Sequence, residues 1–233
     1  MRILALDTAT ESCSAALLIG ERLIARDAIL ERDHAARILA MLDEVLEEGG
    51  ASLAALDAIA FGRGPGSFTG VRLAASITQG LAFGAGVPVV PVSDLRALAQ
   101  RVLEADQAAT RVLVCNDARM GEVYWGCFER PASGSAGEVG AERVGKPSAV
   151  ALPPGWTRGA AVQGAGSGFA AYPELRAVLA GRLDKVHEGW LPRAIEIAVI
   201  AAADVAAGRA LPAEHALPVY LRDDVTHNRT DSH

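Results

Sequence analysis

The chain has 233 residues, of which 51% are apolar and only 5% aromatic, so alanine, leucine and valine must build most of its interior. This length allows one large domain or two smaller ones packed together. The net charge of −6 argues against tight binding of nucleic acid by this chain alone, because such binding needs a basic surface.

The apolar segments of the chain bear on its cellular location. No apolar run is long enough to cross a bilayer. The first ten residues predict a strand entering a sheet, not a signal peptide. We therefore expect a cytoplasmic protein with no membrane attachment.

The first hundred residues alternate between predicted strands and helices. Three apolar runs with short polar turns between them predict an antiparallel meander. Asp33 and Asp94 are expected to cap helices, and Pro88 and Pro91 indicate that the fifth strand is at an edge or has its ends there. The predicted strands cover 2–8, 13–19, 22–30, 56–61 and 87–92, and the first two helices cover 33–48 and 69–83.

The second half begins as the first does, with apolar runs at 111–116 and 122–128 around a short polar turn. A segment rich in glycine, serine and alanine at 131–145 predicts a surface loop around a weak strand. Helices are expected at 173–181 and 192–207, with a glycine-marked turn before the first of them.

Two halves that each open with an antiparallel hairpin predict a duplicated α/β fold. Actin, sugar kinases and Hsp70 share this ASKHA architecture (actin-like ATPase, ribonuclease H-like), in which mixed sheets are flanked by helices. We expect an N-terminal lobe at 1–105 that carries the partner-binding helices and a C-terminal lobe at 106–233.

The segment GlyArgGlyProGlySerPheThrGly at 62–70 lies between a predicted strand and a predicted helix. Such turns present backbone N–H groups to an anion, but the lysine of a P-loop is absent. The window ending at Gly70 has Phe68 where a nucleophile elbow has serine. Capping of the helix is favoured, with a residual nucleotide or anion site as the alternative. The candidate contacts of that site are Asp7, Gly64, Gly66, Ser67, Thr69 and Gly166.

Asp7 ends the first predicted strand, where actin-like kinases have an acidic residue that holds magnesium. The next loop wraps phosphates in those enzymes and is usually rich in glycine, because bare backbone can approach an anion. Residues 8–12 contain no glycine, and the second hairpin turn at 117–121 contains one. Asp117 is explained at least as well by a turn or a hydrogen bond with Arg119 as by catalysis.

The cysteines and histidines are poorly placed for a metal site. Cys13, Cys115 and Cys127 form no CxxC and are expected to be buried free thiols in a reducing compartment. None of the five histidines lies three to five residues from another, and HExxH is absent. We therefore predict no metal and no cofactor.

The first two helices carry more apolar surface than one sheet can cover. A helix on one sheet needs a single apolar stripe, whereas the stripe on each of these helices is broad. Apolar surface in excess of the core indicates a second contact, so we predict a protein–protein interface there. Its expected residues are Ile38, Met41, Leu42, Val45, Leu46, Val71, Leu73, Ile77 and Leu81.

Four segments, in order along nearly the whole chain, closely resemble the TsaB (YeaZ) family of bacterial proteins. They are IleLeuAlaLeuAspThrAlaThr at 3–10, GlyArgGlyProGlySerPheThrGlyValArgLeu at 62–73, AspAlaArgMetGlyGluValTyrTrp at 117–125 and AlaLeuProValTyrLeuArgAspAspVal at 216–225. The resemblance implies a two-lobed ASKHA fold in the cytoplasm. It also implies a role in placing threonylcarbamoyl on the adenosine beside the anticodon of tRNAs that read codons beginning with A.

The resemblance implies partners as well. Members of the family pair through their N-terminal helices with TsaD, the relative that keeps the metal and nucleotide chemistry, and act with the ATPase TsaE. They form homodimers when the partner is absent, and they reach tRNA only through the complex. The HisxxxHis metal motif of TsaD is not carried over, since Ile38 stands four residues after His34.

Three functions follow from these observations. The favoured one is a non-catalytic scaffold subunit that binds and activates TsaD together with TsaE. The alternative is a small ASKHA nucleotide hydrolase or phosphotransferase that uses Asp7 and the two hairpin loops. A metallopeptidase is the third, and the sequence offers it neither a nucleophile nor a metal site.

Overall fold

The computed structural model describes residues 1–132, 134–156 and 161–222, and within them the chain builds two mixed sheets. The first sheet has the strand order β3-β2-β1-β4-β5, and the second has the order β11-β10-β6-β7-β8 with β9 also paired to β7. The strands are β1 (Arg2–Asp7), β2 (Ser12–Ile19), β3 (Arg22–Ile29), β4 (Ala58–Gly62), β5 (Val89–Val92), β6 (Arg111–Arg119), β7 (Glu122–Glu129), β8 (Gly137–Glu138), β9 (Arg143–Gly145), β10 (Val162–Ala165) and β11 (Lys185–His187).

Helices cover both faces of the sheets. They are α1 (His34–Gly49), α2 (Phe68–Ala85), α3 (Asp94–Ala105), α4 (Gly168–Ala171), α5 (Glu174–Val178) and α6 (Ala194–Ala206), with short 3₁₀ turns at Leu53–Ala55, Pro147–Ala149 and Ala213–His215. None of the helices within the described ranges combines the length and the hydrophobicity that a bilayer crossing requires.

The first sheet has the predicted meander, because β1, β2 and β3 pair antiparallel in sequence order. Strands β4 and β5 then run parallel to β1, each after a helical crossover. Strand β5 is at the end of the sheet, which confirms the edge position indicated by its prolines. The second sheet repeats the arrangement, with β6 and β7 antiparallel and β10 and β11 parallel to β6.

Alternation along the strands assigns each face of the first sheet to different helices. Leu4 and Leu6 belong to a core shared with α1 and α2, whereas Ile3 and Ala5 belong to a core shared with α6. The α6 side of the sheet is rich in alanine, and so is α6 itself, so the helix and the strands present small residues to each other. Buried isoleucines on α6 stabilise this contact by roughly 1.5–3 kcal/mol each.

Two predicted helix caps are wrong. Asp33 precedes α1 in the left-handed conformation (φ 68°), and its side chain makes no capping hydrogen bond. Ser93 caps α3, since its Oγ accepts a hydrogen bond from the Arg96 N–H at 3.2 Å, and Asp94 is the first helical residue. At α2 the prediction is confirmed, because Ser67 Oγ accepts from the Gly70 N–H at 3.4 Å.

The predicted division at residue 105 separates the two sheets but does not describe the end of the chain. Helix α6 packs on the first sheet, and Leu211 exchanges two 2.8 Å backbone hydrogen bonds with Val89 at the β5 edge. Residues of the predicted C-terminal lobe therefore complete the N-terminal one. The lobe boundaries themselves stay a prediction.

Three short elements of the second sheet region were not predicted. Strand β10 includes Gly164, and Gly166 and Ser167 alone form the glycine-marked turn between β10 and α4. Strand β11 has three residues and helix α4 four, too few for a periodic pattern to develop.

Candidate functional site

A cleft of about 1010 Å³ opens where the two sheets face each other. The first sheet contributes the loop after β1, the end of β3 and the start of α2. The second sheet contributes the end of β6 and the start of α4. The residues that line the cleft include Glu11, Glu31, His34, Gly66, Ser67, Phe68, Asn116, Asp117, Ala118, Arg119, Ser167 and Ala171.

Beneath one wall of the cleft, Asp7 and Asp94 form a buried pair of carboxyl groups. Strands β1, β4 and β5 are parallel, so their carboxyl ends meet at one edge of the sheet. Asp7 ends β1 and Asp94 follows β5, and a Cβ placed on Gly62 at the end of β4 would meet oxygens of both within 2.6 Å. Glycine is required at position 62 because the two carboxyls occupy the space of a side chain.

Burial raises the pKa values of both carboxyl groups. The Ala9 N–H donates to Asp7 Oδ1 at 2.8 Å and the Gly64 N–H to Asp94 Oδ2 at 2.5 Å, which leaves Asp7 Oδ2 and Asp94 Oδ1 buried without another donor. Burial raises the pKa of Asp7 to about 6, and burial together with the negative charge of Asp7 raises the pKa of Asp94 well above its usual range. Burial therefore favours the protonated form of Asp94 over its charged form.

The pair belongs to a polar network that joins the two sheets. Ser93 donates to Glu142, which lies just before β9, and the Arg63 guanidinium lies 3.8 Å from the same carboxylate. Burial raises the pKa of Glu142. The network is thus a structural junction between the end of β4, the start of α3 and the second sheet.

The glycine-rich loop is packed against its own chain. The Gly64 N–H is used by Asp94, and the Ser67 N–H donates to the Ala9 carbonyl at 2.7 Å. Cβ atoms at Gly66 and Gly70 would collide with the backbone of Ala9 and Thr8, so glycine there permits close packing of two loops. Close packing of the two loops explains these glycines, so a bound phosphate is not needed to explain them.

The predicted anion contacts are not brought together. Gly66 and Ser67 line the cleft, whereas Asp7, Gly64, Thr69 and Gly166 lie outside its lining. Asp7 and Gly64 are buried, and Thr69 is exposed. Asp7 and Gly64 make hydrogen bonds within the chain, and their role as ligand contacts stays a prediction.

The charges of the cleft do not favour a polyphosphate. Glu11, Glu31 and Asp117 bring carboxylates to its walls, against the guanidinium of Arg119. Asp117 already accepts from the Arg119 N–H at 2.8 Å and pairs with its guanidinium at 3.1 Å, which confirms the turn explanation of this residue. An anion in the cleft would face like charge.

The broad stripes on α1 and α2 are mostly core. Ile38, Met41, Leu42, Val45 and Val71 are at most 2% exposed and pack against the first sheet or within the loop region beneath α2. They give no contact area to a partner in this conformation, and their place in the interface stays a prediction. Leu46, Leu73, Ile77 and Leu81 are half-buried and remain available as a prediction.

An outward face of the two helices was missed by sequence analysis. Leu39 is 49% exposed on α1, and Ser76, Gly80 and Gly84 are exposed on α2 at a spacing of four residues. A Cβ on Gly80 or Gly84 would meet nothing within 4 Å. The signal was the recurrence of small residues every four positions, which marks one side of a helix.

Asp94 was missed for a different reason. It was assigned to a helix cap from its position before an apolar run, and its neighbour Ser93 takes that role. Once the strand order β1-β4-β5 is known, the residue after β5 is expected at the same sheet edge as the residue that ends β1, but that order is not a local signal in the sequence.

Two comparisons with known proteins point to the same pathway. The chain is 43% identical over 225 residues to the tRNA threonylcarbamoyladenosine biosynthesis protein TsaB of Escherichia coli (strain K12), an alignment that covers 97% of this chain and 96% of the relative. Residues 27–153 match the family model described as TsaD, tRNA N6-adenosine threonylcarbamoyltransferase.

Solved structures give the same picture. YeaZ from Pseudomonas aeruginosa superposes with a TM-score of 0.85 at 44% identity, over 94% of this chain and 99% of that one. The ROK hexokinase from Thermus thermophilus shares the fold alone, with a TM-score of 0.50 at 14% identity over 88% of this chain and 98% of that one. The two mixed sheets and this neighbour confirm the predicted ASKHA fold class.

Proposed function

Because the chain belongs to the TsaB (YeaZ) family of tRNA threonylcarbamoyladenosine biosynthesis proteins, we propose that it is a non-catalytic subunit of the threonylcarbamoyl transfer machinery. In this role it binds and activates a TsaD protein, together with TsaE, for modification of the adenosine beside the anticodon of tRNAs that read codons beginning with A. It acts in the cytoplasm and meets tRNA only within the complex, in keeping with its net charge of −6.

The observation that carries the proposal is the outward face of α1 and α2. Exposed Leu39 and half-buried Leu46 on α1 are accompanied on α2 by half-buried Leu73, Ile77 and Leu81. The open space above Gly80 and Gly84 lets another helix approach the α2 backbone closely, which increases the packing contacts per residue. We assign this face to a helix of TsaD, and to a second copy of the chain when TsaD is absent.

The cleft supports the non-catalytic part of the proposal. Asp7, which an active relative would direct at a metal, is 0% exposed, accepts a hydrogen bond from the Ala9 N–H, and has its pKa raised to about 6 by burial. The carboxylates on the cleft walls repel a polyphosphate, and the loop amides donate within the chain. A nucleotide hydrolase needs the opposite arrangement, with free amides and an ionised, accessible aspartate.

Reconstituted modification tests the proposal. TsaD and TsaE of the same organism are supplied with tRNA and the threonylcarbamoyl-adenylate donor, with and without this chain, and the modified nucleoside is quantified. We expect modification to collapse when the chain is omitted and the purified chain alone to release no phosphate from ATP. Full modification without the chain, or ATP turnover by the chain that Asp7→Ala abolishes, would contradict it.

A further inference from the structure

The segment 217–222, which we call the clasp, runs from the helices of the first sheet to the β6–β7 hairpin of the second. It follows the 3₁₀ turn at Ala213–His215 and passes over the glycine-rich loop, where a Cβ on Gly64 would meet the Val219 carbonyl at 2.9 Å. It is the described part of the fourth segment that resembles the TsaB family, and residues 223–225 of that segment lie outside the described residues.

One end of the clasp is bound to the first sheet by backbone and side-chain contacts. The Val219 N–H donates to the Arg63 carbonyl at 2.8 Å, and the Tyr220 hydroxyl accepts from Arg72 Nε at 2.6 Å. The Arg72 guanidinium lies 3.5 Å from the centre of the Phe68 ring, and the Phe68 and Tyr220 ring centres are 5.9 Å apart. Arg72 thus joins two half-exposed rings through cation–π contacts and a hydrogen bond.

The other end is bound to the second sheet by Arg222. Its Nη2 donates to the Ala118 carbonyl at 3.3 Å and pairs with the Glu122 carboxylate, while Nη1 lies 3.7 Å from Met120 Sδ. One guanidinium therefore holds both strands of the β6–β7 hairpin, and its fork of donors suits this double contact better than a lysine would.

Both ends touch residues that line the cleft. Tyr220 packs on Phe68 at one wall, and Arg222 holds Ala118 at the other. The junction around Glu142 ties the sheets together through the side chains of Ser93 and Arg63, whereas the clasp contacts Arg63 only at its backbone carbonyl. Loss of the clasp therefore frees the walls to separate while the junction keeps the sheets attached.

We propose that the clasp sets the width of the cleft by bridging its two walls from Tyr220 to Arg222. Helix α2 carries both the Phe68–Arg72 anchor of the clasp and the face assigned to TsaD. A shift of α2 is therefore transmitted to the β6–β7 hairpin through the clasp. The clasp acts on the cleft whether or not the proposed function holds, so its test needs no partner.

The test measures the distance across the cleft by electron–electron double resonance on the full chain. Spin labels on Glu31→Cys and Ala171→Cys report on opposite walls, and both positions are exposed. The native thiols do not compete, because Cys13, Cys115 and Cys127 are buried and burial raises their pKa values. We expect one narrow distance distribution in the parent chain and a longer, broader one in Arg222→Ala.

Matched variants separate the clasp from general loosening. Leu217→Ala, in the same segment with a side chain 58% exposed, is expected to keep the parent distribution. Tyr220→Ala is expected to shift the distance less than Arg222→Ala does, because the Val219–Arg63 hydrogen bond remains. If Arg222→Ala fails to fold by circular dichroism, Glu122→Gln, which removes the charge that Arg222 contacts, carries the same expectation. An unchanged distribution in the folded variant, or an equal shift in Leu217→Ala, would overturn the proposal.

Discussion

At the scale of single residues, Asp7 and Asp94 show how burial changes acid–base chemistry. The pKa values of both carboxyls are raised in the folded chain above the ordinary aspartate value of 3.8, because burial penalises their charged forms. The unfolded chain therefore loses these protons first as pH rises. The pair therefore contributes most to stability at about pH 4 and below. The contribution of Asp7 is lost as the pH rises to about 6, and that of Asp94 is lost at still higher pH.

Asp94→Asn is predicted to stabilise the chain at pH 8. The amide stays neutral, can donate to Asp7 and can still accept from the Gly64 N–H, so it reproduces the protonated carboxyl without the cost of holding that proton. We expect the free energy of unfolding to rise at pH 8 by roughly 0.5–3 kcal/mol, the usual size of the effect of a single substitution.

Urea unfolding of the parent and Asp94→Asn at pH 5 and pH 8 checks this, and the gain should be smaller at pH 5. Asp184→Asn, at an exposed position, serves as the control and should change little at either pH. A variant that is less stable than the parent at pH 8 would show that the fold does not favour a neutral group at position 94.

At the scale of helices, α1 separates core from surface within one apolar stripe. Leu42 is 2% exposed, and Leu39, three residues earlier, is 49% exposed. Leu42→Glu is predicted to unfold the chain, because an unpaired charge buried in the core costs several kcal/mol. Leu39→Glu should leave the melting temperature within a few degrees of the parent while weakening binding to TsaD.

Thermal melts and a binding titration with TsaD separate these outcomes. Val45→Glu, at a position 0% exposed, is expected to follow Leu42→Glu and provides a second core variant. A folded Leu42→Glu chain that has lost only TsaD binding would instead return Leu42 to the interface, as sequence analysis expected.

The long elements could be predicted from the sequence because their patterns are local. The order of strands and helices through α3 follows from apolar periodicity and from glycines that end α1 and α2, where Gly50 and Gly86 adopt the left-handed conformation. Which side of each stripe faces outward could not be predicted, because it depends on how α1 and α2 share one face of the sheet. Prediction of the Asp7–Asp94 pair required the strand order of the sheet in addition to the identities of the two residues.

At the scale of the whole molecule, the first sheet depends on the end of the chain. The face that carries Ile3, Ala60 and Val90 is covered by Ile197 and Ile200 of α6, some hundred residues after the last strand of that sheet. The sequence could not show this return, since α6 is simply apolar and alanine-rich and is compatible with either sheet. It is the reason that the two predicted lobes are not two independent units.

A fragment of residues 1–105 is therefore predicted not to fold to a native state. Without α6 the uncovered face loses roughly 1.5–3 kcal/mol for each large apolar side chain left in water, comparable in sum with the stability of a small domain. Amide NMR spectra of the fragment should be poorly dispersed, and linking residues 190–222 to it should restore dispersion. A well-dispersed monomeric spectrum from 1–105 alone would mean that the N-terminal lobe is self-sufficient.

The proposed function assigns the contact with TsaD to the exposed face of α1 and α2 and assigns no catalytic role to the buried Asp7. Gly80→Trp fills the open space on α2, while Asp7→Asn keeps the shape of the buried pair and removes its charge. Ala105→Trp, on an exposed position of α3, is the control for a bulky addition elsewhere.

The most direct measurement is the initial rate of threonylcarbamoyl transfer to tRNA by TsaD and TsaE with each of these variants in place of the parent chain. The account predicts that Gly80→Trp lowers the rate toward that without the chain, whereas Asp7→Asn and Ala105→Trp keep the parent rate. A rate abolished by Asp7→Asn and unaffected by Gly80→Trp would contradict it, and would place the chemistry in this chain and the partner elsewhere.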